Sequence, residues 1–281
     1  MLLLTKNPEY INNVAPLYPT ASQVPPHQAL RSYRMVSDLH GVQVLLFDVF
    51  GTTVDWHGSL VDELAALGRK YAVDGDWSTF SKTWRLGYVN HIHEIAKGGT
   101  GSLNMDKLHR EILEKILQSS EWKHFGAVLD EEQRENLNNA WHRLRGWPDT
   151  TAGLHTLKKH RIVGALSNGN TRLLIDLAKF SDLPWDVVFS SELFGSFKPD
   201  LKVYQGAIKH LSLEPQNCAL VAAHMWDLRG AAATGMKTIF VKRAAEEPIG
   251  QAEVKTKSDG GEVDLVVDSF AELAAIFAEG K

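Results

Sequence analysis

The sequence has little of several features that would indicate particular classes of protein. Cys218 is the only cysteine, so no disulfide can form within the chain, and a reducing compartment is the simpler expectation. No run approaches the ~20 apolar residues of a membrane span, and Met1 to Leu4 make too short an apolar start for a signal peptide. These absences predict a soluble, cytoplasmic protein.

The sequence also lacks an excess of charge of either sign. Its 30 basic and 34 acidic residues give a formal net charge of -4, which leaves no electrostatic footprint for nucleic acid or an anionic membrane. A small-molecule substrate is therefore expected, with no nucleic-acid and no membrane partner. A length of 281 residues fits one large domain, or a core domain that carries a smaller inserted one.

Short β-branched and aliphatic runs alternate with helical patterns over much of the chain. Strands are predicted at 42–50, 162–166, 187–190, 219–223, 237–241 and 265–267. Helices are predicted between most of them, at 171–180, 202–211 and 269–278. This alternation predicts an α/β protein with a doubly wound parallel, Rossmann-like sheet.

The alternation is interrupted between residues 58 and 147. Amphipathic helical patterns follow one another there, at 60–71, 77–97, 105–119 and 130–147, with no convincing strand between them. An all-helical cap domain at 58–147 is therefore expected, inserted into an α/β core domain made of 41–57 and 148–281. It would cover the carboxyl edge of the sheet, where open α/β sheets bind ligands. Residues 1–40, rich in Pro, Asn, Ser and Tyr, are expected to form a surface extension.

Four polar motifs are expected at that edge. The first is Asp48 with Thr52, where an apolar strand ends in a glycine-marked turn. The others are Ser167-Asn168, Lys198-Pro199 with Tyr204, and the segment from His224 through Trp226 to Asp227. Each has a structural alternative: a turn-forming aspartate, a plain loop, a surface lysine, and an N-capping aspartate beside a half-buried histidine. Their shared position at strand ends nevertheless predicts one site.

In this order the motifs resemble those of the haloacid dehalogenase superfamily, which has a strand-end nucleophilic Asp, a strand-end Ser or Thr, a Lys and a terminal acidic motif. Segments 47–52, 165–170 and 197–200 are most similar to the type II, (S)-2-haloacid dehalogenase branch. Trp84-Arg85 and segment 141–149 resemble that branch too. The resemblance covers about residues 42–277 and leaves out the amino-terminal extension.

Two positions depart from the phosphatases of that superfamily. Phe50 stands two residues after Asp48, where they carry an acid/base aspartate, and Ala222 stands five residues before Asp227, where they carry a first aspartate. Magnesium prefers several oxygen ligands, and the chain supplies too few, so no metal and no other cofactor is expected. A divergent phosphatase and a non-catalytic binding protein on this fold are the alternatives.

The resemblance implies metal-independent hydrolysis of short 2-haloacids to 2-hydroxyacids through an aspartyl ester. Asp48 would attack the α-carbon and displace the halide, while the charge of Lys198 would keep Asp48 ionised. Ser167 and the backbone amides after Asp48 would hold the substrate carboxylate through hydrogen bonds. Thr52 is counted with the substrate-binding residues.

The resemblance also implies a place for the departing halide. Arg85, on the predicted cap helix 77–97, matches the family arginine that reaches the halide, and Asn168 matches its helper. Without the family pattern, a solvent-exposed charge on a helix face would be the simpler interpretation of Arg85. Phe50 and Trp226 would line an apolar wall, or they could be plain core residues.

Water would then hydrolyse the ester. Asp227 matches the family carboxylate that orients or activates this water, and Tyr204 would help to hold the nearby network in the substrate site. Residues Ala222-Ala223-His224 stand where the family pattern has Ser-Ser-Asn before the aspartate. A neutral His224 could accept a proton near pH 7 and share in activating the water. A structural role, with His224 hydrogen-bonded only to its own loop, is an equally supported alternative. The resemblance also makes a homodimer possible.

Overall fold

The computed structural model describes residues 39–96, 98–243, 246 and 253–279. All but the last two residues of the predicted extension lie outside the described residues. In chain order, the strands are β1 (Val44–Phe47), β2 (Val54–Asp55), β3 (Arg145–Gly146), β4 (Ile162–Ser167), β5 (Val187–Ser190), β6 (Cys218–Ala222), β7 (Lys237–Val241) and β8 (Leu265–Val267). The α-helices are α1 (Trp56–Tyr71), α2 (Trp77–Ala96), α3 (Met105–Gln118), α4 (Lys123–Gly126), α5 (Glu131–Asn138), α6 (Thr150–Leu157), α7 (Thr171–Phe180), α8 (Leu201–Leu211), α9 (Met225–Ala232) and α10 (Phe270–Glu279). None of these described helices is long and apolar enough to cross a membrane.

Six parallel strands form one sheet in the order β5-β4-β1-β6-β7-β8. β1 lies between β4 and β6, with Phe47 beside Ala165 on one side and Val221 on the other. The chain builds outward from β1 in both directions, so the sheet changes winding direction between β1 and β6. Ligands of open α/β sheets bind at such a switch point. The prediction of a doubly wound α/β fold is confirmed.

The residues of β1 show why the central strands are apolar throughout. Leu45 and Phe47 belong to one buried cluster, and Val44 and Leu46 belong to a second cluster on the opposite face of the sheet. A strand with a packed layer on both faces needs no polar alternation. β1 ends at Phe47 rather than at residue 50 because the chain turns there. Gly51 adopts a φ of +84°, a conformation that favours glycine.

Helices α1 to α5 follow β2 and precede β3 in the sequence, and these two strands pair as a short antiparallel ribbon. In this ribbon Val54 of β2 faces Gly146 of β3, and Asp55 faces Arg145. The sequence pattern predicted no strand here and one continuous helix at 130–147, which is wrong. Helix α5 ends at Asn138, and a 3-10 turn over Asn139–Arg143 carries the chain to β3. The division into core and cap domains stays a prediction, with this ribbon as the expected junction.

Candidate active site

A cavity of about 310 Å³ lies at the carboxyl ends of β1, β4 and β6 and beneath helix α2. Eight of the predicted site residues line it: Asp48, Phe50, Arg85, Ser167, Asn168, Lys198, His224 and Trp226. Three further predicted residues, Thr52, Tyr204 and Asp227, are fully buried behind these. Successive motifs are up to about 120 residues apart in the sequence. They nevertheless meet at one edge of the sheet, because the parallel strands end there.

The Asp48 carboxylate is held by three donors and is only 6% exposed. Lys198 Nζ lies 2.9 Å from its Oδ1, Thr52 Oγ1 lies 2.8 Å from its Oδ2, and His224 Nδ1 lies 3.0 Å from the same Oδ2. Burial raises the pKa of Asp48, but the charge of Lys198 and the hydrogen bond and charge of His224 outweigh burial and lower this pKa below its ordinary value. Asp48 is therefore ionised at neutral pH and opens onto the cavity.

Lys198 links two buried carboxylates. Its Nζ lies 2.9 Å from Asp48 Oδ1 and 2.5 Å from Asp227 Oδ2, and the side chain is 1% exposed. Burial lowers the pKa of Lys198, but the charges of Asp227 and Asp48 raise it above its ordinary value. The lysine therefore stays protonated and supplies the cation between the two aspartates.

The side-chain amide of Asn168 fixes the backbone of Lys198. Asn168 Oδ1 accepts from Lys198 N at 2.7 Å, and Asn168 Nδ2 donates to Lys198 O at 3.3 Å. These bonds use one of the two Nδ2 hydrogens, so the expected role of Asn168 beside Arg85 stays a prediction. Asn168 lines the cavity, but its bonds in the structure position Lys198.

Asp227 lies in the first turn of α9 and has no exposed surface. Its Oδ1 accepts from the Tyr204 hydroxyl at 2.6 Å, and its Oδ2 accepts from Lys198 Nζ. Burial raises the pKa of Asp227, the charge of Lys198 lowers it, and the net direction is upward. In this geometry Asp227 meets the cavity through Lys198.

Thr52 and Tyr204 were predicted as residues of the substrate site, Tyr204 as one that helps to hold the network there, and the structure places both behind the cavity wall. The Thr52 hydroxyl donates to Asp48 and accepts from Ala223 N at 2.9 Å, so both of its hydrogen-bonding functions are used inside the protein. The Tyr204 hydroxyl donates to Asp227, and neither side chain has exposed surface. Both residues hold a carboxylate in place and lie behind the cavity wall.

His224 bridges two carboxylates and is not bonded only to its own loop. Its Nδ1 lies 3.0 Å from Asp48 Oδ2, and its Nε2 lies 3.0 Å from Glu246 Oε2. Burial lowers the pKa of His224, but the hydrogen bonds and charges of Asp48 and Glu246 raise it to about 9. The imidazole is therefore protonated at neutral pH, which corrects the expectation of a neutral histidine that accepts a proton.

The Arg85 guanidinium lies in an aromatic corner of the cavity. Its central carbon is 5.7 Å from the ring centre of Phe50, 5.5 Å from that of Trp56 and 5.1 Å from that of Tyr88. Its Nη1 is buried and has no hydrogen-bond partner among the described residues. A buried N–H without an acceptor is costly, so this corner is suited to an anion and is not a solvated helix face.

Six cavity residues were missed by the sequence patterns, namely Trp56, Tyr88, Val89, Ile92, His93 and Glu246. Tyr88 follows Arg85 by three positions on α2, so helical spacing could have placed it on the same face. Trp56 stands two residues before the expected start of the insert at residue 58. Glu246 had no local signal, because two adjacent glutamates a few residues after β7 are typical of any surface loop.

Comparison with known proteins agrees with the motifs. Residues 42–235 match the family model of the haloacid dehalogenase-like hydrolases. The (S)-2-haloacid dehalogenase H-109 of Pseudomonas putida is 28% identical over 81% of this chain and 99% of its own. The crystal structure of the L-2-haloacid dehalogenase PA0810 is 38% identical, covers 85% of this chain and 99% of its own, and superposes with a TM-score of 0.76. The defluorinating L-2-haloacid dehalogenase Rha0230 is 35% identical, covers 84% and 95%, and superposes with a TM-score of 0.75.

Proposed function

The chain belongs to the haloacid dehalogenase-like hydrolase family, and on that premise we propose that it hydrolyses the carbon–halogen bond of short 2-haloacids to give 2-hydroxyacids. The observation that carries the proposal is the ionised Asp48 carboxylate facing a cavity that also contains Arg85. A carboxylate nucleophile and an anion-binding corner are the two groups that displacement of a halide from carbon requires. The named relatives are 2-haloacid dehalogenases, and the alignment covers 99% of the length of each of two of them.

In the first step, an oxygen of Asp48 attacks the α-carbon and forms the ester bond, while the carbon–halogen bond breaks and its electron pair leaves with the halide. Lys198 keeps the attacking carboxylate ionised and fixed, since its ammonium lies 2.9 Å from Oδ1. Arg85 receives the halide. The aromatic rings around the guanidinium support this role because they exclude water and strengthen the attraction between ions.

The substrate carboxylate is held at the turn after β1. The backbone amides of Val49 and Phe50 have no acceptor among the described residues, and Ser167 Oγ already accepts from Gly169 N at 3.2 Å, which leaves its hydroxyl proton free to donate. Hydrogen bonds from such groups to an ionised carboxylate are strong. Together they favour a substrate with one negative charge beside the reacting carbon.

In the second step, water attacks the ester carbonyl carbon of Asp48 and releases the 2-hydroxyacid. Asp227 takes part in activating this water and acts from behind Lys198, and Tyr204 orients Asp227 through its 2.6 Å hydrogen bond. His224, as a protonated imidazole, contributes a donor to the Asp48 carboxyl group. The water oxygen enters the carboxyl group of Asp48, and the original carboxylate oxygen leaves in the product.

A divergent phosphatase is the second candidate, and two residues disfavour it. Phe50 presents a ring to the cavity where the acid for a leaving alkoxide would stand, and Ala222 is fully buried in β6 where a metal-binding aspartate would stand. Magnesium-dependent release of phosphate from an aryl phosphate would favour this alternative. Halide release that is unchanged by a chelator would exclude it.

The test of the proposal is multiple turnover of a 2-chloroacid in ¹⁸O-labelled water. We expect label in the peptide that contains Asp48, because each ester hydrolysis adds one water oxygen to that carboxyl group. Asp48→Asn is expected to release no halide, and Asp55→Asn, a change at the start of α1, is the matched control that keeps activity. Label confined to the product, with none in Asp48, would mean direct attack by water and would refute the ester route.

A cytoplasmic location and a homodimer belong to the same proposal. Cys218 is an unpaired, buried thiol, as expected in a reducing compartment. Large apolar side chains, including Phe180 at 54% and Leu193 at 59%, are exposed in the single chain, and a contact between two copies would bury such side chains. Light scattering coupled to size-exclusion chromatography measures the mass, and a monomer across the micromolar range would contradict the dimer.

A further inference from the structure

Glu246 is a cavity residue that lies outside the four motifs and has no assigned role. Its carboxylate accepts from Trp56 Nε1 at 2.6 Å and contacts His224 Nε2 at 3.0 Å, with a side chain that is 10% exposed. Its backbone N donates to Arg243 O at 2.9 Å, and Arg243 is itself buried and bonded to Thr52 O. A largely buried carboxylate with such fixed partners is costly to place by chance, which points to a function.

The turn after β1 is shaped around this carboxylate. A Cβ atom at Gly51 would lie 2.5 Å from Glu246 Cδ, closer than nonbonded carbon atoms approach. Gly51 therefore supplies both the positive φ of the turn and the space for Glu246. The carboxylate reaches His224 from the side opposite to Asp48, so the imidazole is held between two acidic groups at its two nitrogens.

We propose that Glu246 is a positioning residue for ester hydrolysis: it holds the His224 imidazolium so that Nδ1–H, together with the Thr52 hydroxyl, binds the Asp48 oxygen that becomes an oxyanion when water attacks the ester. This inference rests on the proposed dehalogenation. Both donors point at the same Oδ2, at 2.8 Å from Thr52 and 3.0 Å from His224. Two fixed donors on one oxygen form the arrangement that stabilises a tetrahedral intermediate in acyl transfer.

The two steps make opposite demands on this pair of donors. In the displacement step Asp48 loses negative charge, so donors to Oδ2 stabilise the reactant and give no acceleration. In the hydrolysis step the carbonyl oxygen gains negative charge, so the same donors stabilise the transition state. A change at Glu246 therefore affects hydrolysis far more than halide release.

Ester formation also changes the charges around His224. Two charged groups contact the imidazole in the free enzyme, Asp48 after β1 and Glu246 after β7. Arg85 and His93 of α2 and Lys198 before α8 line the same cavity, and Asp227 of α9 lies behind Lys198. When Asp48 becomes a neutral ester, Glu246 is the one anion among the described residues that still contacts the ring. The imidazolium of the intermediate then depends on Glu246 for its proton.

The test is Glu246→Gln in the full chain, with 2-chloropropionate as the substrate in quenched-flow measurements. Halide release in the first turnover reports displacement, and intact-protein mass reports the ester on Asp48. Removing one oxyanion donor slows a reaction by about 100- to 1000-fold, and a weakened donor should cost less, so we expect hydrolysis to slow by about 10- to 100-fold. Halide release in the first turnover should change less than about threefold by the argument from differential binding, and the ester should accumulate.

The pH profile separates a donor from a base. If the imidazolium is the donor, ester hydrolysis slows as pH rises through the pKa of His224 in the intermediate, and Glu246→Gln moves that decline to lower pH. A hydrolysis rate that increases with pH through this range would mean that His224 acts as a base, and it would overturn the inference. The His224→Gln variant gives a second measure, because Glu246→Gln should have little further effect in that background.

The matched control is Glu253→Gln, which removes the same charge from an exposed position of the chain. It should leave both steps unchanged. Two outcomes would refute the positioning role while the dehalogenase assignment stands. One is that Glu246→Gln slows halide release and hydrolysis equally, and the other is that it slows hydrolysis as much in the His224→Gln background as in the wild-type protein. Failure of the wild-type protein to release any halide would refute the proposed function and this inference with it.

Discussion

The buried cation at the centre of the site offers the most demanding test, through the substitution Lys198→Met. Methionine has nearly the length and volume of the lysine stem, so the change removes the charge with little change in packing. Lys198 Nζ lies 2.9 Å from Asp48 Oδ1, and unit charges at that distance attract by about 6 kcal/mol at an effective dielectric constant of about 20. The loss is partly offset, because a buried ammonium no longer has to be desolvated.

The net loss of stability follows from the two carboxylates that remain after the substitution. Asp48 and Asp227 would both stay buried without the cation they share, and breaking a buried pair in this way typically costs about 3–5 kcal/mol. The pKa of Asp48 should rise, because its largest stabilising charge is lost. Urea unfolding at pH 7 should therefore show a free energy of unfolding lower by about 3–5 kcal/mol.

The lowered pKa of Asp48 predicts how stability and halide release change with pH. In the wild-type protein the pKa of Asp48 is lowered, so its contribution to stability is present above its ordinary value of about 3.9 and is lost as pH falls through the folded value. In Lys198→Met, both this stability and first-turnover halide release should be lost at a higher pH. Lys202→Met, at an exposed lysine of α8, is the control and should change neither. An acidic limb of halide release at the wild-type position would refute the assignment of Lys198 as the group that keeps Asp48 ionised.

One further change tests the hydrogen-bond network of the site, and another tests a histidine bridge outside it. Tyr204→Phe removes the 2.6 Å hydrogen bond to Asp227 and should lower the free energy of unfolding by about 1.5–3 kcal/mol. Single-turnover measurements should show ester hydrolysis slowed more than halide release. Equal slowing of the two steps would contradict the role given to Asp227. His142 lies between Asp106 and Asp176, at 2.9 and 2.8 Å. Burial lowers the pKa of His142, but these carboxylates raise it above its ordinary value. The stabilising effect of His142 is therefore present below about pH 6.5 and is lost as pH rises through the folded pKa. His142→Gln should reduce the fall in unfolding free energy between pH 6 and 9 in urea titrations, and a fall of wild-type size would contradict the bridge.

The sequence predicted the sheet well because strand-forming information is local in this protein. A strand that is buried on both faces is a continuous apolar run, and each of the six runs corresponds to a strand of the sheet within a few residues. Polar motifs after such runs must meet, because parallel strands end at one edge. Asp48, Ser167, Lys198 and His224 could therefore be assigned to one site before any distance was known.

The same local patterns failed where packing decides the backbone. The helical periodicity of 130–147 continues past Asn138, but burial of Trp141 and pairing of β3 with β2 end helix α5 earlier. Thr52 and Tyr204 were assigned to the substrate because they are near the motifs in sequence. Their hydroxyl groups are consumed inside the protein, by Asp48 and Asp227.

The sequence by itself determined which groups meet at the cavity: one aspartate at a strand end, a lysine, an arginine on the helical insert, and a phenylalanine in place of a second acid. Tertiary structure decided their electrical state. His224 reads as an ordinary histidine until Asp48 and Glu246 are found at its two nitrogens, where they raise its pKa to about 9 and make it a donor. The physical reason is that the charge of a buried group depends on its neighbours in space, and Glu246 approaches His224 across 22 residues of chain that no short motif spans.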